Sequence, residues 1–321
     1  MTGRLIRNTI LPRLNRGKLG ALPDSVVLNG LGSRIAYTTD SYTVSPLFFP
    51  GGNIGSLAIH GTCNDLACSG ARPVFLSLGL ILEEGLDLSD LENILDSMSE
   101  AADQAEVEIV TGDTKVVPKG SADRIFINTS GIGMIEHDSI FGTEFVEVGD
   151  EIIVSGPVGN HGMAIMLSRA EFSFDFNIKS DSASIWPVVE RLLEIGSGLR
   201  FLRDPTRGGL AATLNEIASS ACAEIVVDET AIPIDKEVRS ASEILGIDPL
   251  VAANEGKVVA VVKKGMGHKA VSLMSECELS KGACVIGEIS SKKAVRVVMN
   301  TRIGGARIMA EPTGELLPRI C

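Results

Sequence analysis

Short apolar segments alternate with glycine-containing turns and amphipathic stretches along the whole chain, and this order most strongly limits its fold. Residues 34–39 and 74–82 predict strands by their length and composition, and residues 88–105 carry apolar side chains at helical spacing. Further strands are predicted at EIVTGD (ending at Asp113), RIFINTSGIGMI, EIIVSG, AEIVVDE, KVVAVVK, ACVIGEI and VRVVMN. Each half therefore mixes about four strands with two or three helices, which predicts an α+β fold.

The length of 321 residues favours two domains followed by a tail. We place the first domain at residues 1–150 and the second at 151–306, since a glycine turn precedes a new strand there. Residues 307–321 contain two prolines and lack periodicity, which predicts an extended, mobile tail. Ten extended residues span at most about 33–36 Å, so the tail could carry Cys321 from the surface into a cleft.

Charge and composition exclude several classes of protein. The formal net charge of −12 lacks the basic character of a nucleic-acid-binding surface. The chain has no run of about 18 uninterrupted apolar residues and no apolar secretory signal at its start. Its six cysteines form no CxxC pair and are too few for a disulfide scaffold. We therefore expect a cytoplasmic protein with reduced thiols that binds neither nucleic acid nor membrane.

Three aspartates of the first half lie beside small residues, namely Asp40 in TTDS, Asp65 in NDLA and Asp113 in TGDT. Any one of them could simply cap a turn. Three in one domain favour Mg²⁺, whose carboxylate ligands often bridge to phosphates. The carboxylate in the apolar NDLA helix also needs a counter-ion. Lys115 follows closely and could hold phosphate, act as a base or lie on the surface.

Two glycine-containing motifs predict close contact between backbone and ligand. Gly51, Gly52 and Asn53 open a predicted helix whose first N–H groups could bind phosphate, although the motif lacks the GKS or GKT of a Walker loop. In DPTRGGL, which begins at Asp204, a threonine can cap the helix and two glycines permit close approach. Glu255, in ANEGK, receives no role from the sequence alone.

Five further side chains carry reactive groups without a clear pattern. The four histidines have no zinc-like spacing, so we expect structural or surface roles for all of them, including His161. Cys321 ends the chain as PRIC. A stray terminal thiol is usually inert, but an exposed cysteine invites oxidation, and its place on a long tail favours a delivered thiol. Its reactivity would rise only on docking near a cation such as Lys115.

Taken together, the motifs resemble one known family over essentially the whole chain. TTDS, GGNIGSLAIHGTCNDLACSGARP, TGDTKV, GPVGNHGMAI, DPTRGGLA, NEGK and the terminal PRIC are similar to the HypE family of hydrogenase maturation factors. This family belongs to the superfamily of aminoimidazole ribonucleotide synthetase, selenophosphate synthetase and thiamine-monophosphate kinase. DPTRGGLA and NDLA are shared across that superfamily, whereas the PRIC end is the specific part of the resemblance.

The resemblance implies a fold, a reaction and partners. The fold is a two-domain aminoimidazole ribonucleotide synthetase-like fold, whose first-domain strands form an intersubunit barrel in a homodimer. The Cys321 thiol would receive a carbamoyl group from the carbamoyltransferase HypF. ATP would then drive dehydration of this group to a thiocyanate, which donates cyanide to iron on the HypC–HypD complex during [NiFe]-hydrogenase assembly.

The resemblance also assigns roles to individual residues. Lys115 and Glu255 would remove the two protons of the carboxamide nitrogen, with Glu255 accepting a proton through Lys115. The remaining positions would bind Mg²⁺ or nucleotide: Asp40, Asp65 and Asp113 for both, and Gly51, Gly52, Asn53 and Asp204 for the nucleotide.

Two alternatives stay open at this point. The first is another ATP enzyme of the superfamily, either a selenophosphate synthetase or a small-molecule kinase. Selenophosphate synthetases place their reactive Cys or selenocysteine in an N-terminal glycine-rich segment, and residues 1–20 contain no cysteine. A kinase would have no use for PRIC. The second is a non-catalytic thiol carrier or scaffold, which would hydrolyse no nucleotide.

Overall fold

The computed structural model describes residues 26–28, 34–170, 176–312, 317 and 319–321. In this part of the chain, strands and α-helices follow one another in an α+β order, which confirms the predicted fold class. The strands are β1 (Val26–Leu28), β2 (Ile35–Tyr42), β3 (Phe48–Phe49), β4 (Gly52–Asn53), β5 (Arg72–Glu83), β6 (Glu108–Val117), β7 (Ile125–Met134), β8 (Glu151–Val154), β9 (Leu199–Arg203), β10 (Glu224–Asp228), β11 (Val259–Val262), β12 (Cys284–Ser291), β13 (Arg296–Asn300) and β14 (Ala306–Ile308). The helices are α1 (Ile54–Cys68), α2 (Leu88–Gln104), α3 (Asn160–Arg169), α4 (Trp186–Leu193), α5 (Gly209–Ser220), α6 (Lys236–Leu245) and α7 (Gly267–Met274).

The first large sheet has the order β1-β2-β7-β5-β6 and is covered on one face. Its strands pair antiparallel except β5 and β6, which are parallel because α2 crosses between them. Side chains from α1 and α2 pack with Leu76 and Leu80 of β5 in a buried core. The opposite face exposes large apolar side chains, among them Tyr37, Phe75 and Ile81. One side of this sheet is therefore open in the single chain.

The second large sheet has the order β14-β13-β10-β12-β8-β11-β9 and is covered on both faces. The interior strand β11 shows this directly, since all four of its residues are buried. Val259 and Val261 pack with α5 in one core, while Ala260 and Val262 pack with α4 and α7 in another. An apolar strand without polar alternation is typical of a sheet buried on both sides.

The observed elements match the predicted ones in kind and differ in length. The helix predicted at 88–105 is α2, but the strands expected to end at Asp40 and Asp113 continue to Tyr42 and Val117. Strand β14 extends to Ile308, and the boundaries of the two domains and the tail stay predictions. Predictions about residues 1–20, 313–316 and 318 lie outside the described residues. None of the described helices is long and apolar enough to cross a membrane.

Candidate active site

A pocket between the two halves of the chain collects residues from five separate segments. Its volume is about 300 Å³ when the space open to solvent is included. The lining residues come from β2, from α1, from the loops that precede α5 and β11, and from the tail: Asp40, Tyr42, Gly61, Asp65, Asp204, Thr206, Arg207, Glu255 and Cys321. Five of the predicted site residues thus come together here.

Strand β2 and helix α1 form the wall that the first half contributes. Gly61 lies where an added Cβ would be 2.3 Å from the Tyr42 hydroxyl, so any side chain there would displace the tyrosine. Asp65 follows one turn later on α1 and accepts a hydrogen bond from the Thr38 hydroxyl at 2.8 Å. Tight contact between strand and helix therefore fixes the positions of Asp40 and Asp65 at the pocket.

The two loops of the second half are locked to each other by their backbones. Gly208 and Gly209 both have positive φ, 78° and 59°, and a Cβ on Gly209 would be 2.4 Å from the Ala252 carbonyl oxygen. Asn254 donates to the Pro205 carbonyl at 2.9 Å through its side chain. The glycines of DPTRGG thus allow close approach, as predicted, but here the neighbour is the chain itself.

Glu255 is held by its backbone, and its side chain is free to face the pocket. Asn64 donates to the Glu255 carbonyl at 2.9 Å, and the Glu255 N–H donates to Asp181 at 3.1 Å. Asp181 in turn forms a buried ion pair with Lys257 at 3.2 Å. The buried Oε1 of Glu255 has no hydrogen-bond partner among the described residues. Such an atom is costly unless a ligand donates to it.

Burial dominates the electrostatics of the pocket. It raises the pKa of Asp204 to about 6 and raises that of Glu255 well above its ordinary value, with Asp204 adding to the effect on Glu255. Burial also raises the pKa of Asp40. Arg207 lines the pocket and opposes the rise in the pKa of Asp40 and Glu255, while Arg203 opposes that of Asp204. The pKa of Arg207 is itself raised, and the largest cause is the negative charge of Cys321. Asp40 and Glu255 therefore face the guanidinium of the DPTRGG loop.

The end of the tail is docked with its thiol in this pocket. Backbone N–H groups of Thr43 and Ser45 donate to the carbonyls of Cys321 and Arg319, each at 3.2 Å. Ile320 is 2% exposed and packs into the core of the first half. Burial raises the pKa of the Cys321 thiol well above its ordinary range. The docked thiol is therefore protonated near neutral pH and is a poor nucleophile.

Asp113 and Lys115 do not join the pocket within one chain. Asp113 pairs with Gly79 of β5, and Gly79 pairs with Asn128 of β7 on the open face of the first sheet. Asp40 instead pairs with the buried Thr129, on the face covered by helices. Strands β2 and β6 are three strand spacings apart, about 14 Å. Lys115 lies exposed and pairs with Asp113 at 3.0 Å.

This separation bears on the predicted metal site. A single ion cannot bind Asp40 and Asp113 of the same chain, because they lie on opposite faces of the sheet. Across residues 34–170, 176–312 and the described tail residues, no group of three His, Cys, Asp or Glu side chains converges as a metal site. Asp40 and Asp65 line the pocket and remain suitable oxygen ligands.

The segment Gly51-Gly52-Asn53 has its own structural explanation. Asn53 is buried and caps α1, since its side chain accepts from the N–H groups of Gly55 and Ser56 at 2.8 and 3.3 Å. Gly51 has φ 94°, and an added Cβ would be 2.8 Å from the Ser180 backbone. Several N–H groups predicted to bind phosphate thus have internal partners, and nucleotide binding by this segment stays a prediction.

Several pocket and tail contacts have roles that the sequence did not predict. Tyr42, Thr206 and Arg207 line the pocket, and the last two belong to the DPTRGG motif, which was a usable signal. The expected threonine cap was wrong, since α5 begins after Gly208 without a side-chain cap. His161 and Arg169 bind the tail from α3, and no local pattern could reveal this because their partners lie about 150 residues further along the chain.

Comparison with known proteins gives this site a family. The family model described as AIR synthase related protein, N-terminal domain, matches residues 23–135, and the one for the C-terminal domain matches residues 147–300. The carbamoyl dehydratase HypE of Rhizobium leguminosarum bv. viciae is 46% identical over 320 residues, which cover 99% of this chain and 91% of that protein.

Solved structures agree. A crystal structure of a HypE–HypF complex matches with a TM-score of 0.91 and 45% identity, covering 96% of this chain and 99% of the other. HypE in complex with ATP matches with a TM-score of 0.86 and 46% identity, covering 100% of this chain and 96% of the other. The chain therefore belongs to the HypE carbamoyl dehydratase family of AIR synthase-related enzymes.

Proposed function

We propose that this protein uses ATP to dehydrate a carbamoyl group carried on the Cys321 sulfur, giving a thiocyanate that serves as cyanide donor in [NiFe]-hydrogenase assembly. One observation carries the proposal: the unpartnered Oε1 of Glu255 lies in the same pocket as the docked Cys321. A thiocarboxamide on that sulfur would bring N–H donors to a buried acceptor that lacks one.

The reaction balances as carbamoyl-cysteine plus ATP giving thiocyanate-cysteine, ADP and phosphate. The carboxamide oxygen attacks the γ-phosphorus and displaces ADP, because an oxygen must become a phosphate before it can leave. The nitrogen loses one proton as this bond forms and the second as the C–O bond breaks. Glu255 would take one of these protons, since burial raises its pKa and makes its carboxylate a stronger base when ionised. The leaving phosphate, itself a base, would take the other.

Arg207 would support the same steps electrostatically. Its guanidinium opposes the negative charge of Asp40 and Glu255 in the pocket. Negative charge develops on the carboxamide oxygen and on the leaving phosphate during the reaction. A fixed cation beside that charge stabilises the transition state more than the ground state.

Mg²⁺ and ATP fit the pocket in part. Asp40 and Asp65 would hold the ion, since both line the pocket and carboxylate oxygens are ligands that Mg²⁺ prefers. Mg²⁺ would neutralise charge on the transferring phosphoryl group. The crystal structure of a relative with ATP supports nucleotide binding in this family.

The open face of the first sheet favours a homodimer. Tyr37, Phe75 and Ile81 are each at least 40% exposed on this face, which is unusual for a sheet that stands alone. Pairing two such faces into an intersubunit barrel would bury them. Lys115 and Asp113 lie on the same face, so a partner subunit offers a route by which they could reach a reaction site.

Loading and unloading need other proteins. The docked thiol has a raised pKa, so the tail must leave the pocket to react as a thiolate with the carbamoyltransferase HypF. The crystal structure of a HypE–HypF complex, which contains a relative of this chain, supports HypF as the partner. The HypC–HypD complex, which carries the iron, would receive the cyanide in the cytosol.

Carbamoyl-dependent ADP formation tests this function, because loading of the thiol from carbamoyl phosphate already releases phosphate. The protein is mixed with HypF, carbamoyl phosphate and MgATP, and HypF alone provides the background. We expect extra ADP with the wild-type chain and none with Cys321→Ala. A small-molecule kinase would keep its turnover in Cys321→Ala, and a thiol carrier would form no extra ADP in either form.

A further inference from the structure

The tail is recognised mainly through its backbone. Each of its last three carbonyl oxygens accepts at least one hydrogen bond from the body of the protein. The Cys321 carbonyl accepts from Thr43, the Ile320 carbonyl from His161 at 2.8 Å, and the Arg319 carbonyl from Ser45 and from Arg169. Helix α3 supplies two of these donors, although neither of them lines the pocket.

His161 is fixed as a donor by its contact with the tail. Nε2 faces the Ile320 carbonyl at 2.8 Å, and a carbonyl oxygen can only accept, so Nε2 carries the proton of the neutral ring. The Ser180 hydroxyl then donates to Nδ1 at 2.8 Å and accepts from the Ser182 N–H at 3.1 Å. Burial lowers the pKa of His161, in agreement with a neutral ring.

Arg169 joins the tail to the loop between β2 and β3. Its Nη2 donates to the Arg319 carbonyl and its Nε donates to the Ser45 carbonyl, both at 2.6 Å. The planar guanidinium thus connects two segments of the same chain, which also share a backbone hydrogen bond. Arg319 itself donates to the Thr43 carbonyl at 2.9 Å and forms an ion pair with Asp123.

We propose that His161, Arg169 and Asp123 form a tail latch, defined as the groups outside the pocket that hold residues 319–321 in the docked position. They are positioning residues, because they contact the tail backbone or Arg319 and not the reacting atoms. The latch favours the docked state, in which the carbamoyl group faces Glu255, and opposes the released state, in which the thiol is loaded. This division of labour rests on the proposed function, whereas docking itself does not.

Alkylation of Cys321 measures docking without any enzymatic activity. The full chain is treated with iodoacetamide, and the C-terminal peptide is quantified by mass spectrometry against the free tetrapeptide Pro-Arg-Ile-Cys. The exposed Cys222 serves as an internal reference. We expect Cys321 in the wild type to react much more slowly than the tetrapeptide. Arg169→Ala removes two charge-assisted hydrogen bonds and should accelerate its alkylation by about tenfold or more.

Matched variants separate the latch from general destabilisation. Arg169→Lys should accelerate alkylation less than Arg169→Ala, because an ammonium cannot reproduce the forked contact. Asp123→Asn should give a smaller increase and keeps the test valid if Arg169→Ala fails to fold. Arg191→Ala removes an exposed ion pair with Glu194 and should change nothing. Cys321 alkylation rates in Arg169→Ala and Asp123→Asn that both equal the wild-type rate would overturn the latch. A wild-type Cys321 that reacts as fast as the tetrapeptide would also overturn it.

A single-turnover assay then links the latch to the reaction. Chains loaded by HypF are purified and given MgATP, and thiocyanate on the C-terminal peptide is followed with time. Arg169→Ala should form it about tenfold more slowly and should be loaded at least as fast as wild type. If wild type forms no thiocyanate, the proposed function fails while the alkylation result stands. Unchanged turnover alongside faster alkylation would refute the positioning role.

Discussion

The two faces of the first sheet carry similar acidic side chains and have different surroundings. The covered face holds Asp40 beside α1, the second half and the docked tail, and burial there raises carboxyl pKa values. The open face holds Asp113, whose pKa is lowered by its neighbour Lys115. The covered face therefore holds carboxyl groups with raised pKa values, while the open face is exposed in the single chain.

This contrast shows that strand register, and not motif chemistry, decides which residues share a site. TTDS and TGDT look alike, but their aspartates point to opposite sides of one sheet. Successive side chains of a strand alternate between faces, so a shift of one residue would exchange the two environments. The predictions below test how far the faces differ, and whether a second subunit brings them together.

The largest effect is expected for Glu255→Gln. Glutamine keeps the shape of the side chain and removes the base, so thiocyanate formation should fall by about 100-fold or more while loading by HypF continues. Single-turnover mass spectrometry of the tail measures this. Glu237→Gln, at an exposed position of α6, is the matched control and should behave as wild type. Activity within a few-fold of wild type in Glu255→Gln would remove Glu255 from the mechanism.

The next prediction joins the two faces across a dimer. Lys115→Ala and Glu255→Gln should each be nearly inactive alone. If one site uses Lys115 of one subunit and Glu255 of its partner, mixed and reassembled subunits should regain up to about a quarter of wild-type activity, because half the dimers are mixed and each has one intact site.

Failure of that mixture has a clear meaning. Sedimentation first confirms that mixed dimers form, and Phe75→Glu on the open face provides a control that should dissociate them. Mixed dimers that regain no activity would show that Lys115 and Glu255 do not serve one site across the interface.

A stability difference is expected for the buried Asp204. The pKa of Asp204 is about 6 in the folded chain, above the ordinary value of 3.8. Between these two pH values, the folded chain therefore holds a proton that the unfolded chain has released. Wild type should therefore lose stability, relative to Asp204→Asn, as the pH rises from about 4 to about 6, by on the order of 2–3 kcal/mol. Urea unfolding across this range measures it. A constant difference at all pH values would contradict the raised pKa.

The smallest effect distinguishes a cap from a ligand at the start of α1. Asn53→Ala should lower the free energy of unfolding by about 1 kcal/mol, since two N–H groups lose their acceptor. Asn53→Ser should largely restore it. If Asn53 serves only as the cap, ATP affinity should be similar in all three forms. A selective loss of ATP binding in Asn53→Ala would instead support the nucleotide role predicted from the sequence.

The sequence was informative about elements and about which motifs matter, because both depend on local patterns. Helix α2, the start of α1 after Gly51-Gly52-Asn53 and the turn in DPTRGG all follow from neighbouring residues. The sheet face on which a residue lies and the residues that it contacts depend on strand order. Strand β2 pairs with β7 although about 90 residues separate them in the sequence. Local patterns therefore could not place Asp113 and Lys115 on the open face, nor identify His161 as a partner of the tail.

The central claim is that Cys321 carries the group that is dehydrated. Its most direct test is mass spectrometry of the C-terminal peptide after incubation with HypF, carbamoyl phosphate and MgATP. We predict a carbamoylated peptide that then loses the mass of one water, with neither change in Cys321→Ser. A tail that stays unmodified throughout, or that is carbamoylated and never dehydrated while ATP is consumed, would contradict the account.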